Sequence, residues 1–169
     1  GTEGEIIFSN PQPAYYNVAL NKPTSQSSKH YGTADNDDGA SYLAVDGNTD
    51  REFFHGTCTH TRSEAKPWWM VDLEGNYYVN AVKLVNRLND IEDRLKNFKI
   101  EVSKDTISWE LCVHYPRTIR SQDMGWQLFY CPESLIGRYV RIQLQDANFL
   151  TLCEVEVYGI RPVRLGSAP

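Results

Sequence analysis

The chain has 169 residues, 41% hydrophobic and 23% charged, with 17 Lys and Arg against 22 Asp and Glu for a net charge of -5. That length fits one globular domain with a sizeable core, while the acidic balance and the lack of Lys/Arg clusters exclude a protein built to grip phosphates. No apolar run approaches the roughly 18 residues of a membrane span, and with no leader at its start the chain reads as a mature or excised fragment.

Residues 1–16 contain Pro11 and Pro13 and little periodicity, so they are expected to form an arm or linker, with at most a short strand at Ile6-Ile7-Phe8. The domain is expected to span 17–159, and residues 160–169 to form a second linker. Thr24-Ser25-Gln26-Ser27-Ser28 suits an edge strand or loop, and the stretch with Asp35, Asn36, Asp37 and Asp38 suits a solvated loop. A short turn over 41–45 runs into Asp46-Gly47-Asn48, where glycine permits a positive φ and oxygens gather on one tight loop. Such a sequence is usually an ordinary turn, but gathered oxygens also suit calcium.

Farther on, Pro67-Trp68-Trp69-Met70-Val71-Asp72-Leu73 reads as buried, and both tryptophans are assigned to the core, although strand neighbours face opposite ways, which leaves exposure of one of them as the alternative. Residues 79–85, 97–102, 137–144 and 152–158 read as strands, a further short turn is expected over 132–136, and helical periodicity is weak. Short alternating strands joined by polar loops predict an antiparallel sandwich. Four cysteines without CxxC spacing fit two disulfides better than a zinc site, which implies export to an oxidising compartment and leaves three connectivities open.

The functional candidates are His60, Arg87 and Arg94, each at a strand end or in a loop. An imidazole and two guanidiniums offer hydrogen bonds to hydroxyl and ether oxygens, and two planar guanidinium forks can fix adjacent oxygens on one sugar face. Taken singly, a histidine is more often structural, and nearby arginines more often pair at the surface, here with Glu92 and Asp93. An enzyme fits less well. A glycosidase needs two carboxylates about the scissile bond, whereas these residues are basic, and no serine or cysteine comes with a recognisable base and orienting acid.

The order of four segments resembles the F-type lectins, the fucose-binding fucolectin family, over residues 17–159. They are Asn17-Val18-Ala19-Leu20; Ala44-Val45-Asp46-Gly47-Asn48; Phe54-His55-Gly56-Thr57-Cys58-Thr59-His60 with Pro67-Trp68-Trp69; and Ile136-Gly137-Arg138-Tyr139-Val140 with Leu152-Cys153-Glu154-Val155-Glu156-Val157. His60, Arg87 and Arg94 match the family's sugar motif in order and spacing. The resemblance implies an all-β, eight-stranded antiparallel jelly roll of the discoidin kind, with the site in loops at one end. It implies that His60, Arg87 and Arg94 hold L-fucose through its axial 4-hydroxyl, 3-hydroxyl and ring oxygen, and that Phe53 and Phe54 wall its methyl group, with Tyr31 adding to that wall. It further implies a structural calcium ion, bound by main-chain oxygens of Leu43 and Asn48, the Asp46 carboxylate, Thr57, the Cys153 carbonyl and Glu154, bracing the His60 loop without touching the sugar. It pairs Cys58 with Cys153 and Cys112 with Cys131.

The chain departs from the family motif at Asn89, where aspartate is usual, leaving Asp90 to hold an arginine. Where some members carry adjacent half-cystines it has Asp90 and Ile91, and Ile91 is expected to supply the apolar contact to the sugar ring. The function the resemblance implies is a non-enzymatic, secreted, calcium-stabilised module. It would recognise fucosylated glycans of blood-group or Lewis type on host cells and meet membranes only through those glycans or a linked domain. Similar modules precede streptococcal cytolysins of the lectinolysin kind, where several sites or a linked toxin offset weak single-site binding. The alternative is a discoidin-type phospholipid- or protein-binding domain, which projects aromatic and basic loops where this chain's loops are acidic or polar.

Overall fold

The computed structural model describes residues 14–30, 38–133 and 135–162, and of residues 89 and 90 the backbone alone. The strand expected at 6–8, most of the acidic loop, Tyr31 and most of the second linker lie outside those residues. Eight strands follow in order: β1 (Tyr16–Asn17), β2 (Thr24–Gln26), β3 (Trp68–Val85), β4 (Lys96–Ser103), β5 (Glu110–Thr118), β6 (Trp126–Tyr130), β7 (Ile136–Leu144) and β8 (Glu154–Ile160). All pairings are antiparallel, in the order β1-β8-β3-β7-β4-β5, with β2 and β6 also pairing with β3. Helical structure among the described residues is confined to 3-10 turns at Ser41–Val45, Phe53–His55, Asn89–Arg94 and Ser121–Asp123. The eight-stranded antiparallel architecture expected from the sequence is the one observed.

β3 is the axis of the curled sheet. Its first half, from Trp68 to Asp72, lies between β2 and β7, and its second half, from Val79 to Val85, lies between β8 and β6. The sequence reads as two separate elements because Glu74-Gly75-Asn76 resembles a turn. The chain instead continues through a register shift between Asp72 and Tyr77, with Glu74 at φ 64 and its N–H donated to Asp72 Oδ1 at 2.8 Å. Trp69, Val71, Leu73, Val82 and Leu84 face a core shared with Phe98 and Ile100 of β4, Ile142 and Leu144 of β7, and Val155 and Val157 of β8. Removing these faces from water is the main force holding the sheet closed, at about 25 cal/mol per Å² of apolar surface.

The two tryptophans divide as strand alternation requires. Trp69 is fully buried and donates its indole N–H to the Ser41 carbonyl at 2.9 Å. Trp68 is only half-buried, beside Met70, Trp109 and Arg141, so its assignment to the core is corrected. The turn expected over 132–136 is also shorter than anticipated, since Ile136 already opens β7.

Cys58 bonds Cys153 across a sequence separation of 95, and Cys112 bonds Cys131 across 19. The first bridge closes a loop long enough to remove ~4 kcal/mol of chain entropy from the unfolded state. It also pins the start of β8 to the segment that carries His60.

Candidate functional site

The site is built where four connections meet at one end of the sheet. Residues 59–61 zip against 150–152: Thr59 N donates to Leu152 O at 2.8 Å, Thr61 N to Leu150 O at 3.0 Å, and the two threonine hydroxyls accept from Leu152 N and Leu150 N. His60 sits inside this zipper, with its N–H on Gly39 O at 3.0 Å and its carbonyl accepting from His30 N at 3.1 Å. A side chain on Gly39 would be strained by its φ of +75 and would lie only 3.0 Å from His60 Cβ.

Arg87 and Arg94 come from the β3–β4 connection, which turns about Asn86. That asparagine is fully buried; its amide donates to the carbonyls of Glu92 and Ile119, and its side-chain oxygen accepts from Arg87 N at 2.8 Å. Asn86 thus ties the start of the connection at Arg87 to Glu92 within the 3-10 turn Asn89–Arg94. Glu92, a sequence candidate for pairing the arginines, instead accepts from Ser121 N at 2.8 Å. Among the described residues neither Arg87 nor Arg94 forms an ion pair with a carboxylate.

The three candidates converge. Arg94 Nη1 lies 3.3 Å from His60 Nε2. His60 is 5% exposed, and its Nδ1 faces the Thr61 carbonyl at 2.7 Å. A carbonyl only accepts, so Nδ1 carries the proton and Nε2 is left with a lone pair directed at the arginine. Burial, and then the nearby His30, Arg94 and Arg87, hold the imidazole down at about 4 despite the Thr61 bond, so it is neutral at physiological pH. The Arg87 guanidinium lies over the Phe53 ring at 4.4 Å and near Phe54 at 5.7 Å; Arg94 lies over Phe149 at 4.4 Å. Burial lowers the pKa of both guanidiniums, and Arg94 lowers that of Arg87 further. Phe53 is half-buried against Val85 and the Cys58–Cys153 bridge, while Phe54 is 83% exposed.

Two residues that sequence reasoning missed complete the rim. Phe149 stands 5.3 Å from the His60 ring, and His30 lies 4.4 Å from His60 and 5.8 Å from Phe149. The available signal was a lone aromatic residue in an otherwise polar loop before Leu150. Ile91 is half-buried in the 3-10 turn with Arg94, whereas Tyr31 and the Asp90 side chain lie outside what is described.

Of the residues implied for a cation, Asp46 and Glu154 are brought together at the 46–48 turn, while the Thr57 hydroxyl donates to the carbonyls of Asp50 and Glu52. Glu154 is fully buried, and its Oε2 accepts from Gly47 N at 2.8 Å. Its Oε1 is buried without a hydrogen-bond partner among the described residues. Burial above all, with Asp46 and Glu156 nearby, pushes the metal-free carboxyl up to about 9. Asp46 closes its turn by accepting from Asn48 N at 2.9 Å. Leu43, Thr57 and Cys153 are buried. No three His, Cys, Asp or Glu side chains cluster as a metal site among the described residues; the set is two carboxylates with hydroxyl and main-chain oxygens. An orphaned buried carboxylate oxygen in an all-oxygen set fits a hard cation.

A family model described as the NedA-like, galactose-binding domain matches residues 43–142. The fucolectin of Anguilla anguilla is 36% identical over 147 residues, covering 86% of this chain and 92% of its own. The fucose binding module SpX-3 of Streptococcus pneumoniae superposes with a TM-score of 0.73 at 32% identity over 86% of this chain and 98% of that one. The lectin domain of lectinolysin, solved with Lewis B antigen, gives 0.73 at 32% identity over 87% and 97%. The fold, the two bridges and this similarity agree: the chain belongs to the F-type lectin, or fucolectin, family.

Proposed function

We propose that the chain is a non-enzymatic, extracellular lectin module that binds L-fucose on blood-group or Lewis-type glycans and directs a larger protein to cell surfaces. The observation that carries this reading is the meeting of a neutral His60 with Arg94 at 3.3 Å, with Arg87 and the rings of Phe53 and Phe149 beside them. A sugar hydroxyl placed there donates to His60 Nε2 and accepts from a guanidinium, satisfying both groups at once. Arg87 adds donors for a neighbouring hydroxyl and the ring oxygen. The deoxy methyl group packs on Phe53 and Phe54, with Ile91 as the apolar neighbour of the ring and Tyr31 extending the wall. L-fucose is 6-deoxy-L-galactose, so a galactose-type axial hydroxyl and an apolar methyl are the two features such a site distinguishes.

Calcium is the cation we assign to Leu43, Asp46, Asn48, Thr57, Cys153 and Glu154. It supplies the positive charge that the buried Glu154 carboxylate lacks, and it braces the loop leading to Phe53 and the Cys58 bridge. Single shallow sites bind weakly, so adhesion to host cells relies on several modules or on a linked membrane-active domain.

The test is titration calorimetry with L-fucose in calcium buffer, with D-galactose and Arg87→Ala as controls. Saturable binding to the wild type, lost by at least about tenfold in the variant, is the expected result, since a hydrogen bond to a charged group contributes about 1.5–3 kcal/mol. A folded, calcium-loaded protein that ignores fucose overturns the reading in favour of a discoidin-type lipid or protein binder.

A further inference from the structure

Arg51 lies between the Asp46 turn and Phe53, outside every set of site residues named so far. Its Nε donates to Asn86 O at 2.6 Å, its Nη2 donates to Arg87 O at 3.3 Å and to Ser121 Oγ at 2.9 Å, and its own carbonyl accepts from Leu88 N at 3.1 Å. One residue therefore bonds three consecutive positions, 86 to 88, with Arg87 in the middle. Gly125 packs directly against the guanidinium: a Cβ there would fall 1.9 Å from Arg51 Cζ.

The loop that presents Arg51 is itself a stair of local bonds. Asp46 accepts from Asn48 N, Asn48 from Asp50 N, Asp50 from Glu52 N and Glu52 from Phe54 N. The stair begins at the cation donors and ends at the aromatic wall, and Arg51 ties it by side-chain hydrogen bonds to the strand end carrying Arg87.

Resting on the fucose reading above, the geometry points to Arg51 as a positioning residue that fixes the backbone of Arg87 from the cation-bearing loop, so that fucose affinity and cation occupancy depend on one another. Linkage makes the dependence reciprocal.

The experiment compares wild type, Arg51→Met and Arg51→Lys by calorimetry with L-fucose in calcium and in EDTA. Terbium luminescence reads the cation site without sugar, and thermal melting checks folding. Arg51→Met is expected to bind fucose about tenfold more weakly in calcium, the order of one charge-assisted hydrogen bond. Its affinity should no longer respond to calcium, its terbium binding should be unchanged, and Arg51→Lys should recover part of the loss. A folded Arg51→Met that keeps wild-type affinity or the wild-type calcium response overturns the inference. If Arg51→Met does not fold, Ser121→Ala, which removes one anchor of the guanidinium, carries the test: a partial loss of affinity supports the inference and no change overturns it. Absence of fucose binding in the wild type sinks the fucose reading and this inference together, whereas the other failures sink this one alone.

Discussion

Arg94 Nη1 and His60 Nε2 stand 3.3 Å apart, a contact possible only while the imidazole is neutral, and the Phe149 ring lies against both residues. A protonated His60 would set one cation against another inside an apolar rim.

The first expected outcome is a pH dependence. The folded His60 pKa of about 4 lies below the ordinary 6.5. Between those values the unfolded chain binds a proton that the folded chain refuses, so stability is full above pH 6.5 and declines as pH falls through about 4. The loss approaches about 3 kcal/mol at most. Denaturant titrations of wild type and His60→Gln at pH 7.5, 5.5 and 4.5 isolate this from the carboxylates. Fucose affinity should hold down to about pH 5 and then collapse; an affinity already halved at pH 6.5 would contradict the assigned protonation state.

Phe149→Ala removes the ring beneath Arg94 and beside His60. Contacts of this kind contribute about 0.5–2 kcal/mol, so a drop in fucose affinity of about two- to thirtyfold is expected in calorimetry with the fold retained. Wild-type affinity in this variant would remove Phe149 from the site.

Calcium is expected to raise the melting temperature of the wild type and EDTA to lower it, because a ligand that binds only the folded state stabilises it. In Glu154→Gln, which keeps the shape and removes the charge, calcium should leave the melting curve where it was. A calcium-dependent shift that survives this substitution would place the ion elsewhere.

Gly39→Ala forces a side chain into the left-handed backbone region and against His60 Cβ, 3.0 Å away. A loss of about 1–2 kcal/mol is expected in denaturant midpoints, with a several-fold fall in fucose affinity because His60 moves. An unchanged affinity would show that the zipper with 150–152 holds His60 without help from Gly39.

Much of the architecture is legible in the sequence because inward positions such as Val140, Ile142 and Leu144 alternate, and period two has one structural meaning. Trp68 misleads because adjacent tryptophans look equally apolar while the strand sends them to opposite faces. The site arginines and His60 are recognised by their spacing. Phe149 and His30 are not, since nothing local in a polar loop records which distant ring they meet. Arg51 is hidden for another reason: its partners are main-chain carbonyls, which every sequence possesses. The Leu43, Asn48 and Cys153 carbonyls proposed for calcium are silent in the same way.

Residues 30, 53, 60, 87, 94 and 149 lie on four stretches of chain; the 58–153 bridge and the 59–61 zipper join the second to the last, the His30 N–H bonds the His60 carbonyl, and Arg51 ties in the stretch of Arg87. No short peptide spans all four stretches, and partial unfolding at either end of the zipper would separate His60 from Phe149. Sugar can therefore serve as a conformational probe: at ten times the dissociation constant, bound fucose would add about 1.4 kcal/mol to folding, a shift large enough to rank variants for native assembly before any glycan is screened.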